Sequence, residues 1–107
     1  MGNTQLKKLD VIINGNSKVL SGRKEGRIMR DKLKLDARDM DNNSYEVILP
    51  DVMAITASYF LECFGKSVRT LGKNGFTHKY IFKSKKEVLD ENIKSGIEAA
   101  LTIQMPF

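Results

Sequence analysis

Apolar residues follow two patterns along this chain: short runs, and positions three or four residues apart. Short runs lie at residues 10–14, 17–20, 46–49 and 78–83, each bounded by polar or turn-forming residues. Such runs predict strands. Steps of three and four residues at 21–35, 58–71 and 85–102 predict three helices. The predicted order of elements is therefore β-β-α-β-α-β-α.

The first two predicted strands are separated by Asn14, Gly15 and Asn16. These residue types tolerate positive φ and favour the tight turn of a β-hairpin, so we expect an N-terminal hairpin. Ser21 is placed to cap the first helix at its start. The buried stripe of that helix would contain Ile28, Met29 and Leu33, and residues 36–44 would form a surface loop.

The third predicted strand contains Val47, Ile48 and Leu49 without polar alternation, and Pro50 closes it. An unbroken apolar run is typical of a strand that is covered on both faces, as in a parallel sheet. Strands that alternate with helices favour a mainly parallel sheet with right-handed crossovers. With 107 residues, the chain has room for one core. We therefore predict a single α/β domain over residues 1–107.

The last two helices carry recognisable ends. Gly72 follows the second helix and fits the position of a C′ glycine, before a turn at residues 73–75. Ser84 and Glu87 match a capping box at the start of the third helix. The apolar positions of that helix follow at four-residue steps: Leu89, Ile93, Ile97 and Leu101.

Composition excludes more classes of function than any short motif does. Apolar residues make up 41% and charged residues 29%, and no apolar stretch approaches the roughly 20 residues that span a bilayer. The single cysteine, Cys63, lies in an apolar run, so we expect a buried, inert thiol and a reducing, cytoplasmic setting. One histidine, His78, and one cysteine cannot build a zinc site. We expect no catalytic residues, no metal and no cofactor.

The segment at residues 47–65, with Val47, Ile48 and Leu49 followed by Ile55-Thr56-Ala57-Ser58-Tyr59-Phe60, resembles the centre of STAS domains, the fold of bacterial anti-sigma factor antagonists. It is more closely similar to a small stand-alone STAS-like family of unknown function, in which Ser-Gly-Arg also opens the first helix. Here that opening is Ser21-Gly22-Arg23. The resemblance covers most of the chain, residues 19–101. It implies a small STAS-like regulatory domain from a bacterium or a phage.

In the antagonists, a histidine-kinase-like ATPase phosphorylates the hydroxyl residue that follows an aspartate in the corresponding turn. The resemblance places Thr56 at the aspartate and Ala57 at the acceptor. Ala57 has no oxygen to modify, so phosphorylation would have to move to Thr56 or Ser58. The resemblance thus implies a protein partner, such as that ATPase, which docks on the loop and helix start at residues 51–59.

We expect the contact residues of that partner to be Asp51, Thr56, Ser58 and Tyr59. Each has a structural alternative. Thr56 or Ser58 could simply cap the helix. Asp51 could fix the loop through backbone hydrogen bonds, and Tyr59 could be either a half-exposed anchor or a buried core residue.

Eighteen basic residues against thirteen acidic ones give a net charge of +5. Arg23, Arg27, Arg30 and Lys34 are spaced four, three and four apart, which places them along one helical face. Such a stripe could bind nucleic acid or another polyanion, which is the alternative function, or it could be an ordinary solvated face. Edge strands of a small sheet could also pair between copies, so the chain is expected to be a monomer or a homodimer.

Overall fold

A three-stranded parallel sheet organises the computed structural model, which describes residues 6–11, 18–49, 52–83 and 86–102. Its strands are β1 (Leu6–Asp10), β3 (Ser44–Ile48) and β5 (Tyr80–Lys83), in the order β1-β3-β5. Two shorter strands, β2 (Val19–Leu20) and β4 (Ala54–Ile55), form a second parallel pair. The predicted mixed α/β class, with a parallel sheet and β3 at its centre, is confirmed.

The helices of the described ranges are α1 (Arg23–Leu33), α2 (Leu35–Arg38), α3 (Ala57–Phe60), α4 (Lys66–Lys79) and α5 (Glu87–Thr102). A π-helical turn, Leu61–Gly65, joins α3 to α4. Within these ranges, no helix combines the length and the apolarity that crossing a membrane requires.

Aromatic side chains fill the space between the helices and the sheet. The Phe64 and Phe82 rings lie 5.2 Å apart, and the Phe76 and Tyr80 rings lie 5.3 Å apart, within the range of favourable ring contacts. Tyr45 stacks on Tyr80 at 5.7 Å. All buried apolar residues of the described ranges belong to one cluster, so the molecule has a single core.

Most of the predicted N-terminal hairpin, at residues 12–17, lies outside the described residues, and the described strands on either side of it do not pair with each other. β1 pairs with β3 and β2 pairs with β4, both in parallel, so the first two strands lie in different sheets. The turn residues Asn14, Gly15 and Asn16 lie outside the described residues. Turn-forming residues report only local backbone tolerance, whereas strand pairing is decided by where apolar side chains such as Leu9 and Leu20 become buried.

The first helix is shorter than its pattern indicates, and Ser21 does not cap it. The N-cap is Gly22, whose φ is 91°, and no side chain caps the helix. The helix ends at Leu33 because Lys34 adopts the left-handed conformation, with φ 54° and ψ 46°. The short helix α2 then occupies the start of the segment expected to be a loop.

The second predicted helix does break at Gly72, but no turn follows at residues 73–75. Gly72 has φ 77° and ψ 167°, a backbone conformation that side chains disfavour, and helical structure then resumes as far as Lys79. His78 therefore lies in the last turn of α4 and not at the start of a strand. The strand begins at Tyr80.

The third predicted helix is confirmed as α5, although its predicted capping serine, Ser84, lies outside the described residues. Leu89, Ile93 and Ile97 are buried, but Leu101 is 42% exposed and Ala100 is buried in its place. Strict four-residue steps drift around a helix of 3.6 residues per turn, so the stripe slips by one position.

The central strand is covered on one face only, contrary to the prediction. Burial alternates along β3, with Tyr45 and Val47 buried and Glu46 and Ile48 only partly buried. The core cluster includes the side chains on the first face and none from the second. The apolar run Val47-Ile48-Leu49 therefore does not indicate two covered faces.

Candidate functional site

Thr56 caps the start of α3, which is one of the two caps that the sequence predicts there. Thr56 is the N-cap, and its hydroxyl accepts a hydrogen bond from the Tyr59 backbone N–H at 3.4 Å. The Thr56 N–H donates to the Leu20 carbonyl at 2.9 Å, which ties the helix start to β2. The Ser58 hydroxyl lies 3.4 Å from that of Thr56 and is half-buried.

Tyr59 is a core residue and is not the half-exposed anchor that a docking surface would use. It is 2% exposed, and burial raises the pKa of its phenol. Its hydroxyl has no hydrogen-bond partner within the part of the chain that the structure describes. A Cβ at Gly26 would lie 2.5 Å from the Tyr59 carbonyl oxygen, so glycine there lets α1 pack directly on α3. Asp51 lies outside the described residues.

Three apolar side chains are exposed around this helix start, and sequence reasoning did not find them. Val19 is 42% exposed, Met53 is 51% exposed and Val88 is 57% exposed. The Met53 N–H donates to the Lys18 carbonyl at 2.7 Å, and Val19 lies opposite Ala54 in the β2–β4 pair. These contacts bring the backbone at residues 18–19 and the backbone at residues 53–54 together.

Val88 reaches the same region from α5. It lies one helical turn before Asn92, whose side-chain oxygen accepts the Ile55 N–H at 2.9 Å. The Lys86 amine donates to the Val52 carbonyl at 3.4 Å and anchors the start of α5 nearby. We call Val19, Met53 and Val88 the carboxyl-end surface, because β3 and β5 lead into it.

Arg30 is not on a basic surface, contrary to the predicted stripe. Its side chain is 9% exposed, and its guanidinium donates to the Cys63 carbonyl at 2.8 Å and to the Ser67 hydroxyl at 2.9 Å. It also forms ion pairs with Asp36 at 2.7 Å and with Asp39 at 3.2 Å. Every N–H direction of the guanidinium is therefore used inside the molecule.

Asp39 completes this buried network. One of its oxygens accepts from Arg30 and from the Ser67 hydroxyl at 2.7 Å, and the other accepts the Tyr80 hydroxyl at 2.6 Å. Its side chain is 4% exposed. A buried carboxylate with three donors is satisfied and leaves no group free for chemistry.

A second polar group lies beside it at the amino ends of β3 and β5. The Lys79 amine donates to the Asp41 carboxylate at 2.8 Å, to the Asp41 carbonyl at 2.7 Å and to the Asn43 carbonyl at 2.8 Å. The Tyr45 hydroxyl also donates to Asp41. Burial raises the pKa of Asp41, but the hydrogen bonds from Lys79, Tyr45 and the Asn43 N–H outweigh it and lower the pKa to about 2.

The other members of the predicted basic stripe do not form a continuous surface with Arg30. The buried face of α1 contains Gly26, Met29, Arg30 and Leu33, at three- and four-residue steps. Arg27 faces solvent and pairs with Glu62 at 3.7 Å. Because Arg30 interrupts the stripe, Arg23, Arg27 and Lys34 remain as separate surface charges.

The two side chains that most often act in catalysis, a cysteine and a histidine, are not placed for it here. Cys63 is fully buried, and burial raises the pKa of its thiol, as the apolar run predicted. His78 is exposed at the end of α4, where its ring lies 2.6 Å from the Asn74 carbonyl. Among the residues that the structure describes, no three His, Cys, Asp or Glu side chains come together as a metal-binding group.

A cavity of about 260 Å³ lies between the second half of α4, β5 and α5. Phe82, Ile93 and Ile97 form its apolar wall, and the ion pair between Lys73 and Glu98, at 2.9 Å, closes one side. The break at Gly72 gives the second half of α4 its separate direction. The cavity has an apolar wall but no buried polar group that would orient a reacting ligand.

Comparison of the chain with protein-family models, with curated proteins and with solved structures finds no match. The similarity to STAS-like domains therefore stays a prediction that rests on the residues quoted for it.

Proposed function

We propose that this chain is a non-enzymatic regulatory module that binds a partner protein at the carboxyl-end surface, beside the helix start at Thr56 and Ser58. The observation that carries the proposal is that Val19, Met53 and Val88, on three segments linked by hydrogen bonds beyond the carboxyl ends of the strands, are each at least two-fifths exposed. Grouped apolar side chains on a surface are typical of protein–protein contacts.

The backbone contacts around this surface support the proposal further. Hydrogen bonds from the Met53 and Thr56 N–H groups join the β2 and β4 segments, and the bond from Ile55 to Asn92 fixes this pair against α5, so the surface is held in place before a partner arrives. Preorganisation of this kind reduces the ordering cost of association. The contact region overlaps the predicted loop at residues 51–59, but Met53 replaces Tyr59 as its apolar anchor.

The resemblance to anti-sigma factor antagonists makes a histidine-kinase-like ATPase the first partner to test. Ser58, which is half-buried at the helix start, is then a candidate for phosphorylation together with Thr56. Intact-mass measurement of the chain purified from its source tests the modification. A mass without added phosphate in growing and starved cells would remove the phosphorylation from this proposal.

The binding itself is tested by affinity capture from an extract of the source organism. The bait is the full chain, compared with Met53→Asp and Val88→Asp, and Met40→Asp is the matched control. Met40 is 78% exposed and precedes β3, at the opposite end of the sheet. We expect the wild type and Met40→Asp to recover the same protein and the other two variants to lose it by about tenfold or more.

Two results would count against the proposal. Equal recovery by Met53→Asp and Met40→Asp would move the interface away from this surface. Recovery of no protein above background by the wild type would remove the partner-binding function. Capture of a protein other than an ATPase, with the expected loss in Met53→Asp, would keep the binding function and overturn the identity of the partner.

A further inference from the structure

Among the described residues, the second face of the three-stranded sheet is exposed at β1 and β5 and partly buried at β3. Alternate residues of each strand point to it: Leu6, Lys8 and Asp10 of β1, Ser44, Glu46 and Ile48 of β3, and Ile81 and Lys83 of β5. None of these residues belongs to the core cluster. We call this set the outer face.

An open face is unusual for a parallel sheet, because parallel strands are almost always covered on both sides. Leu6 is 59% exposed and Ile81 is 38% exposed on this face, and Ile48 of the central strand is partly buried. Apolar side chains on a flat sheet lose unfavourable contact with water when a second layer covers them. The outer face therefore has the character of one half of a two-layer contact.

The charges of the outer face indicate what the second layer is. Lys8 and Lys83 are balanced by Asp10 and Glu46, so this face is neutral although the whole chain carries +5. Within the described residues, none of these four side chains has an ion-pair partner. A neutral face with both signs does not match a polyanion, but it matches another copy of itself.

We infer that the outer face is a self-association surface on which a second copy of this chain packs, sheet against sheet. The strand register defines two rows on the face, Lys8-Glu46-Ile81 and Asp10-Ile48-Lys83. A two-fold axis that runs across the strands, between these rows, brings each row over the other row of the second copy.

This arrangement pairs opposite charges at one position and places no like charges opposite each other. Lys8 lies opposite Asp10 of the second copy, Glu46 lies opposite Ile48, and Lys83 lies opposite Ile81. A two-fold axis that runs along β3 would instead place Glu46 opposite itself, and a like-charge contact of that kind is costly. The charge pattern therefore selects the axis across the strands.

The contact is small, and that determines how it behaves in solution. Three strands of four or five residues, spaced about 4.8 Å apart, offer far less than the roughly 800 Å² per partner of a standard interface. We expect a weak dimer in concentration-dependent equilibrium with the monomer. It does not depend on the carboxyl-end surface.

Sedimentation equilibrium of the full chain over a range of concentrations tests the inference. We expect Lys8→Asp and Asp10→Lys each to weaken dimerisation by about tenfold or more, because each places like charges in contact. The double variant K8D/D10K restores opposite charges and should recover dimerisation. Lys7→Asp is the matched control, because it makes the same charge change on the neighbouring residue, which points to the other face.

Ile81→Lys provides a second, independent variant, because the residue is exposed and its replacement should leave the fold intact. It places a lysine opposite Lys83 and should also weaken the dimer, while circular dichroism verifies that each variant is folded. Sedimentation of the wild type as a monomer at all concentrations would overturn the inference. A dimer that survives both Lys8→Asp and Asp10→Lys would do so too. Met53→Asp should leave dimerisation unchanged, which separates this test from that of the proposed function.

Discussion

At the amino ends of β3 and β5, buried charges are held by complete sets of partners, whereas beyond the carboxyl ends three apolar side chains are exposed to solvent. The first end contains Arg30 with Asp39 and Lys79 with Asp41, and all of their hydrogen-bonding groups are used. The second contains Met53 and its neighbours. The polar residues at the first end stabilise the fold, while the exposed apolar residues at the second end form the proposed contact surface.

Arg30→Met should have the largest effect on stability, and it tests whether the buried charges at the amino ends stabilise the fold. The substitution leaves the Asp39 carboxylate buried without its cation and should lower the free energy of unfolding by about 3–5 kcal/mol. Arg27→Met is the control, because Arg27 is 66% exposed and its loss should cost less than about 0.5 kcal/mol. Urea unfolding measures both. Equal costs would mean that the amino-end network does not stabilise the fold.

Asp41→Asn tests the same end through its pH dependence. The pKa of Asp41 is lowered from 3.8 to about 2, so its ionised form stabilises the folded state above pH 4, and that contribution is lost as the pH falls towards 2. At pH 7 the variant should be less stable by about 1–2 kcal/mol. Thermal melts between pH 2 and pH 7 should show a smaller loss of stability in acid for Asp41→Asn than for the wild type. Parallel curves would contradict this role.

Thr56→Ala tests whether the helix start at the other end is held by its cap. Loss of the hydroxyl leaves the Tyr59 N–H without its partner and should cost about 0.5–1 kcal/mol. Thr56→Ser keeps the acceptor and should retain most of the stability in the same urea experiment. A Thr56→Ser variant as unstable as Thr56→Ala would indicate that the methyl group matters and the cap does not.

The smallest effect on stability is expected from Met53→Asp and Val88→Asp. Both side chains are more than half exposed, so replacement should change the free energy of unfolding by less than about 0.5 kcal/mol. Differential scanning calorimetry checks this. A large loss of stability would mean that the side chains of the carboxyl-end surface also stabilise the fold. The two ends of the sheet would then not differ in this respect.

The candidate site could be predicted only in part. Thr56 as a cap and Cys63 as a buried thiol follow from local pattern, and both are confirmed. The charge of Arg30 favours a surface position, but its spacing from Gly26 and Leu33 places it on the buried face of α1. The partners that make a buried arginine possible, Asp39, Cys63 and Ser67, lie outside α1, so the local pattern does not reveal them.

The order of the main elements, the parallel central strand and the buried positions Leu89, Ile93 and Ile97 of α5 were determined by the sequence, because period and turn chemistry act locally along the chain. Ile28 and Leu101, which the same pattern places in buried stripes, are exposed. Tertiary structure alone decided that β1 and β2 belong to different sheets, that Arg30 meets Asp39 and Ser67, and that one face of the sheet stays open. These outcomes depend on contacts between residues far apart in the chain. Such contacts form where side chains are buried together, and a local pattern does not specify which distant segments those are.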